Sequence, residues 1–433
     1  MRTIEKKPVP FIAPERQSAI ANEPKVTGLL HKISEEYYYW EKVKHQALPE
    51  NVTAQEIWAL TKQSRKFTAN TIRFGQHKFH WNINNRLQEY LHLLDMNIGG
   101  TLEASSSVSK EDKQRYLTSS VMEEAIASSQ IEGAATTRKI AKEMLRKNEK
   151  PKNRSEQMIF NNYATIQKIL ELKKEPLTRQ RLLDVHKLIS RNTFSNAAEE
   201  GAFRNDEDGI NIVDNATGRV IFTPPAEAEI EGMLKDLFAF FNNDNDKPFI
   251  HPLIKASIIH FMVGYIHPFT DGNGRTARAL YYWYLLKREY WLTEYLSISR
   301  LILKTKAQYA RAYQYTEIDD NDLTYFILFN LKTSVLAYDE LRVYIQRKQA
   351  EKLKLAEFAG IDGINYNQAL VLDWFDKEPA LLLTIKEAQI RLAVSNEHAR
   401  KNLLDLNEKG YLDMVHVNKK KMAFKKGRGG NAN

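Results

Sequence analysis

Residues 252–266, PLIKASIIHFMVGYI, are apolar around almost the whole circumference of a helix. Only Lys255, Ser257 and His260 interrupt the apolar side chains. A helix at the surface keeps one polar face, so a helix without such a face is buried among other elements. The segment is too short to span a bilayer. It therefore predicts a central helix around which the rest of a helical protein packs.

The composition restricts the class of protein further. The chain has 433 residues, a formal net charge of +9 and no cysteine. Disulfide scaffolds, thiolate zinc sites and cysteine nucleophiles are therefore excluded. The N-terminal residues lack the apolar stretch of a signal peptide, which favours a soluble, cytoplasmic protein.

Helical periodicity predominates along the chain and predicts a mainly α protein. The exception is residues 210–223, where two short alternating runs flank the turn DNATG and predict a β-hairpin. The predicted segments are an irregular arm over 1–25, a helical N-terminal domain over 26–105, a helical core over 106–350, a linker over 351–363, a C-terminal module over 364–426 and a basic tail over 427–433.

The loop that follows the central helix, HPFTDGNGRTAR over 267–278, has a composition suited to polyphosphate. Gly272 and Gly274 let backbone N–H groups approach a ligand at the start of a new helix, where unpaired donors attract anions. Asn273 adds a neutral donor. Arg275 and Arg278 lie one turn apart on the same helical face, and their planar forks suit phosphate oxygens.

Two further residues of this loop suggest catalysis. A carboxylate at Asp271 repels an anion unless a cation bridges the two, and Mg²⁺ held by one carboxylate and phosphates satisfies that requirement. A neutral histidine at His267 can accept a proton from an attacking hydroxyl. The residues together predict a general base beside a metal-bridged polyphosphate.

The same twelve residues resemble the signature of the Fic domain family, His-x-Phe-x-(Asp/Glu)-Gly-Asn-Gly-Arg-x-x-Arg, at every fixed position. The resemblance implies a helical Fic core and transfer of AMP from ATP to a Ser, Thr or Tyr hydroxyl of a target protein or of the chain itself. It implies that His267 deprotonates the hydroxyl, that Asp271 holds Mg²⁺, and that buried Phe269 anchors the loop. Phosphate oxygens are then held by Gly272, Asn273, Gly274, Arg275 and Arg278, with Arg275 stabilising the departing pyrophosphate and Arg278 reaching the γ-phosphate.

The resemblance extends to the predicted hairpin. In this family a hairpin flap pairs with the target segment by strand addition, and residues 210–223 are similar in kind and position. The preceding stretch GAFRN, residues 201–205, is similar to the family's Gly-x-(Phe/Tyr)-Arg stretch.

A second motif lies upstream in ASSQIEGAATT, where Ser128 and Glu132 are one helical turn apart and Gly133 ends the helix. It resembles the family's inhibitory motif, (Ser/Thr)-x-x-x-Glu-(Gly/Asn), on a helix over about 118–132. The resemblance implies that Glu132 pairs with Arg278 and blocks the γ-phosphate position within the same chain. Some family members use the same glutamate to remove AMP, and that alternative stays open, as does another nucleotide.

The C-terminal module resembles a winged helix-turn-helix, with helix caps at Thr384 and Ser395, a recognition helix over 395–409 and a wing tip over 419–421. Residues 361–433 hold 12 lysines and arginines against 9 aspartates and glutamates, and six of the basic residues fall at or after Lys419. DNA binding through 384–426, protein docking and homodimer formation all remain possible. A DNA-binding regulator with the Fic core as a nucleotide sensor is the alternative to an enzyme.

Overall fold

The computed structural model describes residues 4–99, 110–214, 217–392, 394–418 and 421–427. The chain forms two compact units, Met1–Asp339 and Glu340–Asn433. Helices make up most of the described residues, as the periodicity predicts, and the sheets are small. No helix of these residues is both long and apolar enough to cross a membrane.

The N-terminal part of the first unit differs from the predicted arm and helical domain. Its elements are α1 Pro14–Ile20, α2 Pro24–Glu36, α3 Trp40–Val43, α4 Ala54–Thr68, β1 Asn70–Phe74, β2 His77–Trp81 and α5 Asn85–Ile98. The predicted arm over 1–25 is thus partly helical. Pro14 and Pro24 each occupy a first helical position, where the fixed φ of proline and its missing N–H fit a helix start.

The region predicted to be wholly helical also contains the hairpin β1–β2. Its five residue pairs run from Asn70 opposite Trp81 to Phe74 opposite His77. Gly75, at φ +56, supplies the left-handed turn residue between the strands. Phe74 and Phe79 are fully buried and pack on Phe240 and Phe261, so the hairpin belongs to the core of the first unit.

The centre of the first unit is a helical assembly that also carries the predicted hairpin as β3–β4. The elements are α6 Lys110–Ile131, α7 Arg138–Lys147, α8 Arg154–Leu172, α9 Arg179–Ser190, β3 Ile212–Val213, β4 Val220–Phe222, α10 Glu227–Asn242, α11 Pro252–Ile266, α12 Asn273–Lys287, α13 Ile298–Lys304, α14 Lys306–Ile318 and α15 Thr324–Ala359.

Helix α11 is buried on every side, as its sequence predicts. Each of its polar interruptions has a partner: the Lys255 ammonium lies 2.6 Å from Asp246, the Ser257 hydroxyl donates to the carbonyl of Leu253, and the His260 ring lies 3.0 Å from the Tyr309 hydroxyl. Buried polar groups are tolerated when they are paired in this way. The helix therefore forms a fixed support for the loop at its C-terminal end.

A buried carboxylate fixes the extended segment ahead of α1. Asp319 is fully buried, and its carboxylate accepts from Lys7 at 2.7 Å and from Lys62 at 2.9 Å. Burial by itself raises the pKa of Asp319, but the two ammonium groups outweigh it and hold the pKa below its usual value. Lys7, and the residues beside it, are thereby tied to the end of α14.

The second unit contains the end of α15, then α16 Tyr366–Lys377, β5 Leu383–Thr384, α17 Ile385–Leu392, α18 Asn396–Glu408, β6 Leu412–Asn418 and β7 Lys421–Lys426. The strands form one sheet in the order β5-β7-β6. Thr384 and Ser395 accept from the backbone N–H three residues on, as helix caps do. Lys419 and Lys420 of the predicted wing tip lie outside the described residues.

The predicted linker over 351–363 is largely helix. Residues 351–359 continue α15, because nothing in EKLKLAEFA breaks a helix before Gly360. The segment between the two predicted domains thus contains more helix than a linker is expected to have.

Candidate active site

The loop between α11 and α12 begins at His267, which ends α11 in the left-handed conformation, with φ 49° and ψ 55°. The ring Nδ1 lies 3.3 Å from the carbonyl oxygen of Gly264. A carbonyl only accepts, so Nδ1 carries the hydrogen and Nε2 of the neutral ring is left as an acceptor. Burial lowers the pKa of His267, and nearby Arg204 adds to that effect. The imidazole is thus neutral near pH 7 with a basic nitrogen to offer.

The side chain of Asn273 has a different role from the phosphate ligand that the resemblance implies. It is 2% exposed, its oxygen accepts from the Phe269 N–H at 3.0 Å, and its nitrogen donates to the Phe269 carbonyl at 2.7 Å. Both ends of the amide are therefore committed to the backbone of the loop. The side chain of Asn273 thus fixes the shape of the loop.

Phe269 is fully buried, as expected, and stacks on His186 of α9. The ring centroids are 3.6 Å apart and the planes are parallel within 1°. His186 Nδ1 accepts from the Gly201 N–H at 3.1 Å, so its Nε2–H donates to the Asp271 carbonyl at 2.9 Å. Burial lowers the pKa of His186 to about 4. A neutral histidine, absent from the predicted set, thus supports the middle of the loop.

Arg204, in the stretch GAFRN, supports the beginning of the loop. Its Nε–H donates to the carbonyl of His267 at 2.8 Å, its backbone N–H donates to the carbonyl of Pro268 at 2.9 Å, and its Nη2 donates to Pro225. The side chain is 5% exposed. Arg204 therefore joins the loop to the segment that follows the hairpin β3–β4, and it acts through backbone groups of the loop.

The start of α12 offers backbone groups to a ligand. Gly272 precedes the helix at φ 86°, a left-handed conformation in which a side chain is strained. A Cβ atom at Gly274 would overlap the carboxylate of Glu132. The absence of side chains here lets a carboxylate lie directly against the N-terminus of the helix, where its dipole favours negative charge.

Arg275 and Arg278 are 1% and 3% exposed. Within the described residues, Nε and Nη2 of Arg275 and Nη1 of Arg278 have no hydrogen-bond partner. Arg275 uses Nη1 to donate to the carbonyl of Ile189 at 3.2 Å. Buried donors without partners are rare in folded proteins, and here they lie together at the N-terminus of α12.

The upstream motif meets this cluster. Arg278 donates from Nε to the Ser128 hydroxyl at 2.8 Å and from Nη2 to the Ser128 carbonyl at 2.9 Å and Glu132 Oε1 at 2.8 Å. Helix α6 ends at Ile131, and Gly133, at φ +95, turns the chain away. Burial alone lowers the pKa of Arg278, and the Glu132 carboxylate outweighs burial and raises it.

Asp271 lies at the outer edge of the loop. Its carboxylate is 39% exposed, accepts from the N–H of Gly272 and lies 3.0 Å from Nη2 of Arg154, an exposed side chain of α8. In the described part of the chain, no group of three or more His, Cys, Asp or Glu residues has the geometry to hold a metal ion. An ion here would therefore take one carboxylate from the protein and its remaining oxygens from phosphates and water, as Mg²⁺ commonly does.

The predicted hairpin forms in the expected place but is short. Only Ile212–Val213 and Val220–Phe222 are strands, and residues 215–216 of its turn lie outside the described residues. Phe222 packs on Tyr265 of α11 with ring centroids 5.1 Å apart. The hairpin therefore lies beside the C-terminal end of α11, which immediately precedes His267.

One stretch of the chain, from α9 to α12, carries the loop and most of its support. Residues 176–285 match the Fic/DOC family. The Fic/DOC segment includes the hairpin β3–β4 and the whole loop. Helix α6 with Ser128 and Glu132 lies ahead of it, so the contact with Arg278 joins the segment to a part of the chain that the match does not cover.

Curated relatives match over a similar stretch. Protein adenylyltransferase Fic of Nematostella vectensis is 33% identical over 112 residues, which are 25% of this chain and 22% of that protein. Protein adenylyltransferase fic-1 of Caenorhabditis elegans is 30% identical over 112 residues, 26% of this chain and 20% of that protein. The match thus spans about a fifth of the length of each relative.

A likeness in fold extends further than the likeness in sequence. The crystal structure of a Fic family protein from Desulfovibrio desulfuricans covers 81% of this chain and 98% of its own, with a TM-score of 0.51 and 19% sequence identity. At that identity the likeness concerns the fold alone.

The buried neutral state of His186 generates a pH prediction. An unfolded histidine has a pKa of about 6.5, so as the pH falls His186 binds a proton in the unfolded chain at a higher pH than in the folded chain. This contribution to stability is full above pH 6.5 and is lost between about pH 6.5 and 4.

His186→Gln keeps an N–H donor but does not titrate. In urea unfolding the variant is expected to lose about 2 kcal/mol less than the wild type between about pH 7 and 4.5. Equal losses would show that His186 carries a proton in the folded protein.

Proposed function

We propose that the chain is a protein adenylyltransferase, which moves AMP from ATP to a hydroxyl side chain of a target protein or of itself. The observation that carries this proposal is the pair of buried guanidinium groups of Arg275 and Arg278 near the start of α12, which keep nitrogens without a hydrogen-bond partner. The nearest carboxylate to Nη2 of Arg275 is that of Asp271, at 3.6 Å. Three buried guanidinium nitrogens without a hydrogen-bond partner call for an anion with several oxygens. A neutral His267 next to them supplies the base. The names of the matched relatives support the same chemistry.

The reaction follows from these positions. The triphosphate lies at the start of α12, on the backbone N–H of Gly274, with Arg275 and Arg278 on its oxygens. Nε2 of His267 accepts the proton of the target hydroxyl as its oxygen attacks the α-phosphorus. A bond forms from that oxygen to phosphorus, the bond from the α-phosphorus to the bridging oxygen breaks, and pyrophosphate leaves with the electron pair. The arginines stabilise its charge.

Asp271 is the proposed holder of Mg²⁺. When bound, the ion would neutralise charge on the phosphates. The carboxylate is half exposed, and its partner Arg154 is an exposed side chain that can move away. The residues therefore fit such an ion.

Glu132 is the proposed inhibitor. Its carboxylate lies against Gly274 and pairs with Arg278, so it takes both the space and the cation that a terminal phosphate would use. Two negative groups cannot share that cation without strong repulsion. ATP binding in the productive position thus requires Glu132 to move, which makes the chain self-inhibited.

Replacing the base tests the mechanism. In His267→Ala we expect transfer from ATP labelled on the α-phosphorus to fall by a factor of about 10² to 10⁴, because proton transfer from the hydroxyl is lost. ATP affinity, measured by calorimetry, is expected to stay within about threefold, since the phosphate donors remain. Wild-type rates of transfer in the variant would refute the assignment of His267.

Removing the inhibitor tests self-inhibition. Glu132→Gly is expected to raise label transfer on the order of tenfold or more, because the γ-phosphate position and Arg278 become free. The double variant Glu132→Gly/His267→Ala is the control, and it must lose the gained activity if the label arises at this site. Unchanged or lower transfer in a folded Glu132→Gly protein would contradict inhibition.

The label also separates the remaining alternatives. Label from the γ-phosphate on the target indicates a kinase-like reaction, and transfer from UTP indicates another nucleotide. Loss of AMP from a modified protein indicates AMP removal with Glu132 positioning water. A protein that binds ATP but transfers nothing, with Glu132 present or absent, behaves as a nucleotide sensor.

A second candidate function, DNA binding by the second unit, rests on the exposed face of α18. Asp405 lies on this helix, but its carboxylate is bound to Gln368 and to Lys409 at 2.6 Å. The exposed residues of the first turns therefore include Arg400 and Lys401 against the single acid Glu397. Basic side chains at the start of a recognition helix suit contacts with DNA.

Duplex DNA labelled with a fluorophore tests this candidate by anisotropy at about 50 and about 200 mM salt. Wild-type binding should weaken steeply with salt, and Arg400→Ala/Lys401→Ala should lower the salt slope by about 2 because two phosphate contacts are lost. Lys377→Ala, which removes a basic residue of α16, is the control and should change the slope little. Binding that ignores salt, or no binding, favours protein docking by this unit.

A further inference from the structure

A cavity of about 460 Å³ lies beside the hairpin β3–β4 and outside the proposed nucleotide site. Three parts of the first unit form its walls. The extended segment ahead of α1 contributes Ile4 and Lys6, β4 contributes Val220 and Ile221, and α14 contributes Gln314 and Ile318. The volume falls within the range of cavities that bind peptides and small ligands.

The strand β4 that lines this cavity has an edge without a strand partner. The sheet has two strands within the described residues, and its register moves from Ile212–Phe222 to Val213–Val220. One step on β3 corresponds to two on β4, so Ile221 is opposite no residue of β3. Such a bulge leaves a peptide group unpaired and bends the strand. An edge of this kind accepts an extended chain by strand addition.

The charged groups at the cavity are mainly basic. Lys6, Lys7 and Arg219 line it, against the single acid Asp214. Lys7 is bound to Asp319, whereas Lys6 is exposed and makes no ion pair with the described residues. The cavity thus combines apolar walls with an available ammonium group at its rim. That combination is complementary to an apolar segment with a carboxylate.

The cavity is also near the proposed base. Phe222, next to Ile221, packs on Tyr265, which precedes His267 by two residues. On the α14 side, the Tyr313 side chain contacts Gly264, whose carbonyl holds the His267 ring. A chain that occupies the cavity along β4 therefore runs beside the end of α11 from which His267 projects.

The family resemblance of residues 210–223 implies that an extended segment of the target protein docks along β4, beside this cavity. We propose that Lys6, in the cavity lining, selects a target with an acidic side chain beside the modified hydroxyl. The inference rests on the proposed AMP transfer and specifies its substrate. It makes the segment ahead of α1, which Asp319 fixes in place through Lys7, a specificity element. Val220 and Ile221 bind the backbone and apolar side chains, and Lys6 binds the carboxylate.

Two fluorescent peptides test the proposal on the full chain. One has a tyrosine flanked by valines and glutamates, and the other has glutamine in place of each glutamate. Anisotropy is expected to show tighter binding of the acidic peptide, and Lys6→Glu should weaken that binding about five- to tenfold with little effect on the glutamine peptide. Lys25→Glu, the same charge change on an exposed lysine of α2, is the control and should have no effect.

Equal affinity for the two peptides, or equal effects of Lys6→Glu and Lys25→Glu, would overturn the proposal. Competition by free glutamate at concentrations near the Kd of the peptide would also overturn it, because the site would then bind any small anion. Transfer of AMP to the same peptides is measured in parallel in the Glu132→Gly background. Selective binding without transfer refutes the proposed function alone, whereas transfer at equal kcat/KM to both peptides refutes the selection by Lys6 alone.

Discussion

The arrangement of the site depends on the burial of one guanidinium group. A charge removed from water is costly unless anions and acceptors surround it. Arg278 obtains them at the C-terminal end of α6, where the Ser128 carbonyl and hydroxyl and the carboxylate of Glu132, the residue after the helix, converge. Carbonyls in the last turn of a helix have no partner within that helix. The end of α6 is thus held against α12 by the hydrogen bonds and the ion pair of Arg278 with Ser128 and Glu132.

Glu132 follows the C-terminal end of α6, which is an unfavourable position for a carboxylate. A carboxylate next to the C-terminal carbonyls is repelled by the helix dipole. Two features offset this repulsion. One is the guanidinium group of Arg278, and the other is the positive end of the α12 dipole at Gly274. The same two features stabilise a phosphate. In the proposed reaction a phosphate would therefore replace the carboxylate without leaving the buried Arg278 unpaired.

Local spacing predicted much of the fold and of the candidate site. The burial of α11 follows from its uniform apolarity, whereas the pairing of Glu132 with Arg278 is expected only from the family resemblance of the two motifs. The sequence does not predict the hairpin β1–β2, because its aromatic residues also fit a helix. Pro14 and Pro24 indicate an irregular arm in the sequence, whereas in the structure each begins a helix.

The residues that support the loop cannot be predicted from local sequence patterns, because their partners are distant in the chain. His186 and Asp271 are 85 residues apart, and no local pattern joins a histidine on α9 to a carbonyl in the loop. The amide of Asn273 could have faced a ligand, and only the fold around Phe269 shows that it does not. Asp405 similarly counts as an acid on α18 in the sequence, while in the structure Gln368 and Lys409 engage it.

The left-handed conformation of His267 has a consequence for related sequences. A residue with a Cβ atom costs about 1 kcal/mol or more in this conformation, and glycine or asparagine ends a helix there more cheaply. Stability and chemistry thus favour different residues at the same position. A sequence that exchanged the imidazole for glycine would keep the helix end, the loop and the arginines, and would fold at least as well. An intact fold of this kind therefore does not by itself indicate the proposed activity, which also requires the imidazole at this position.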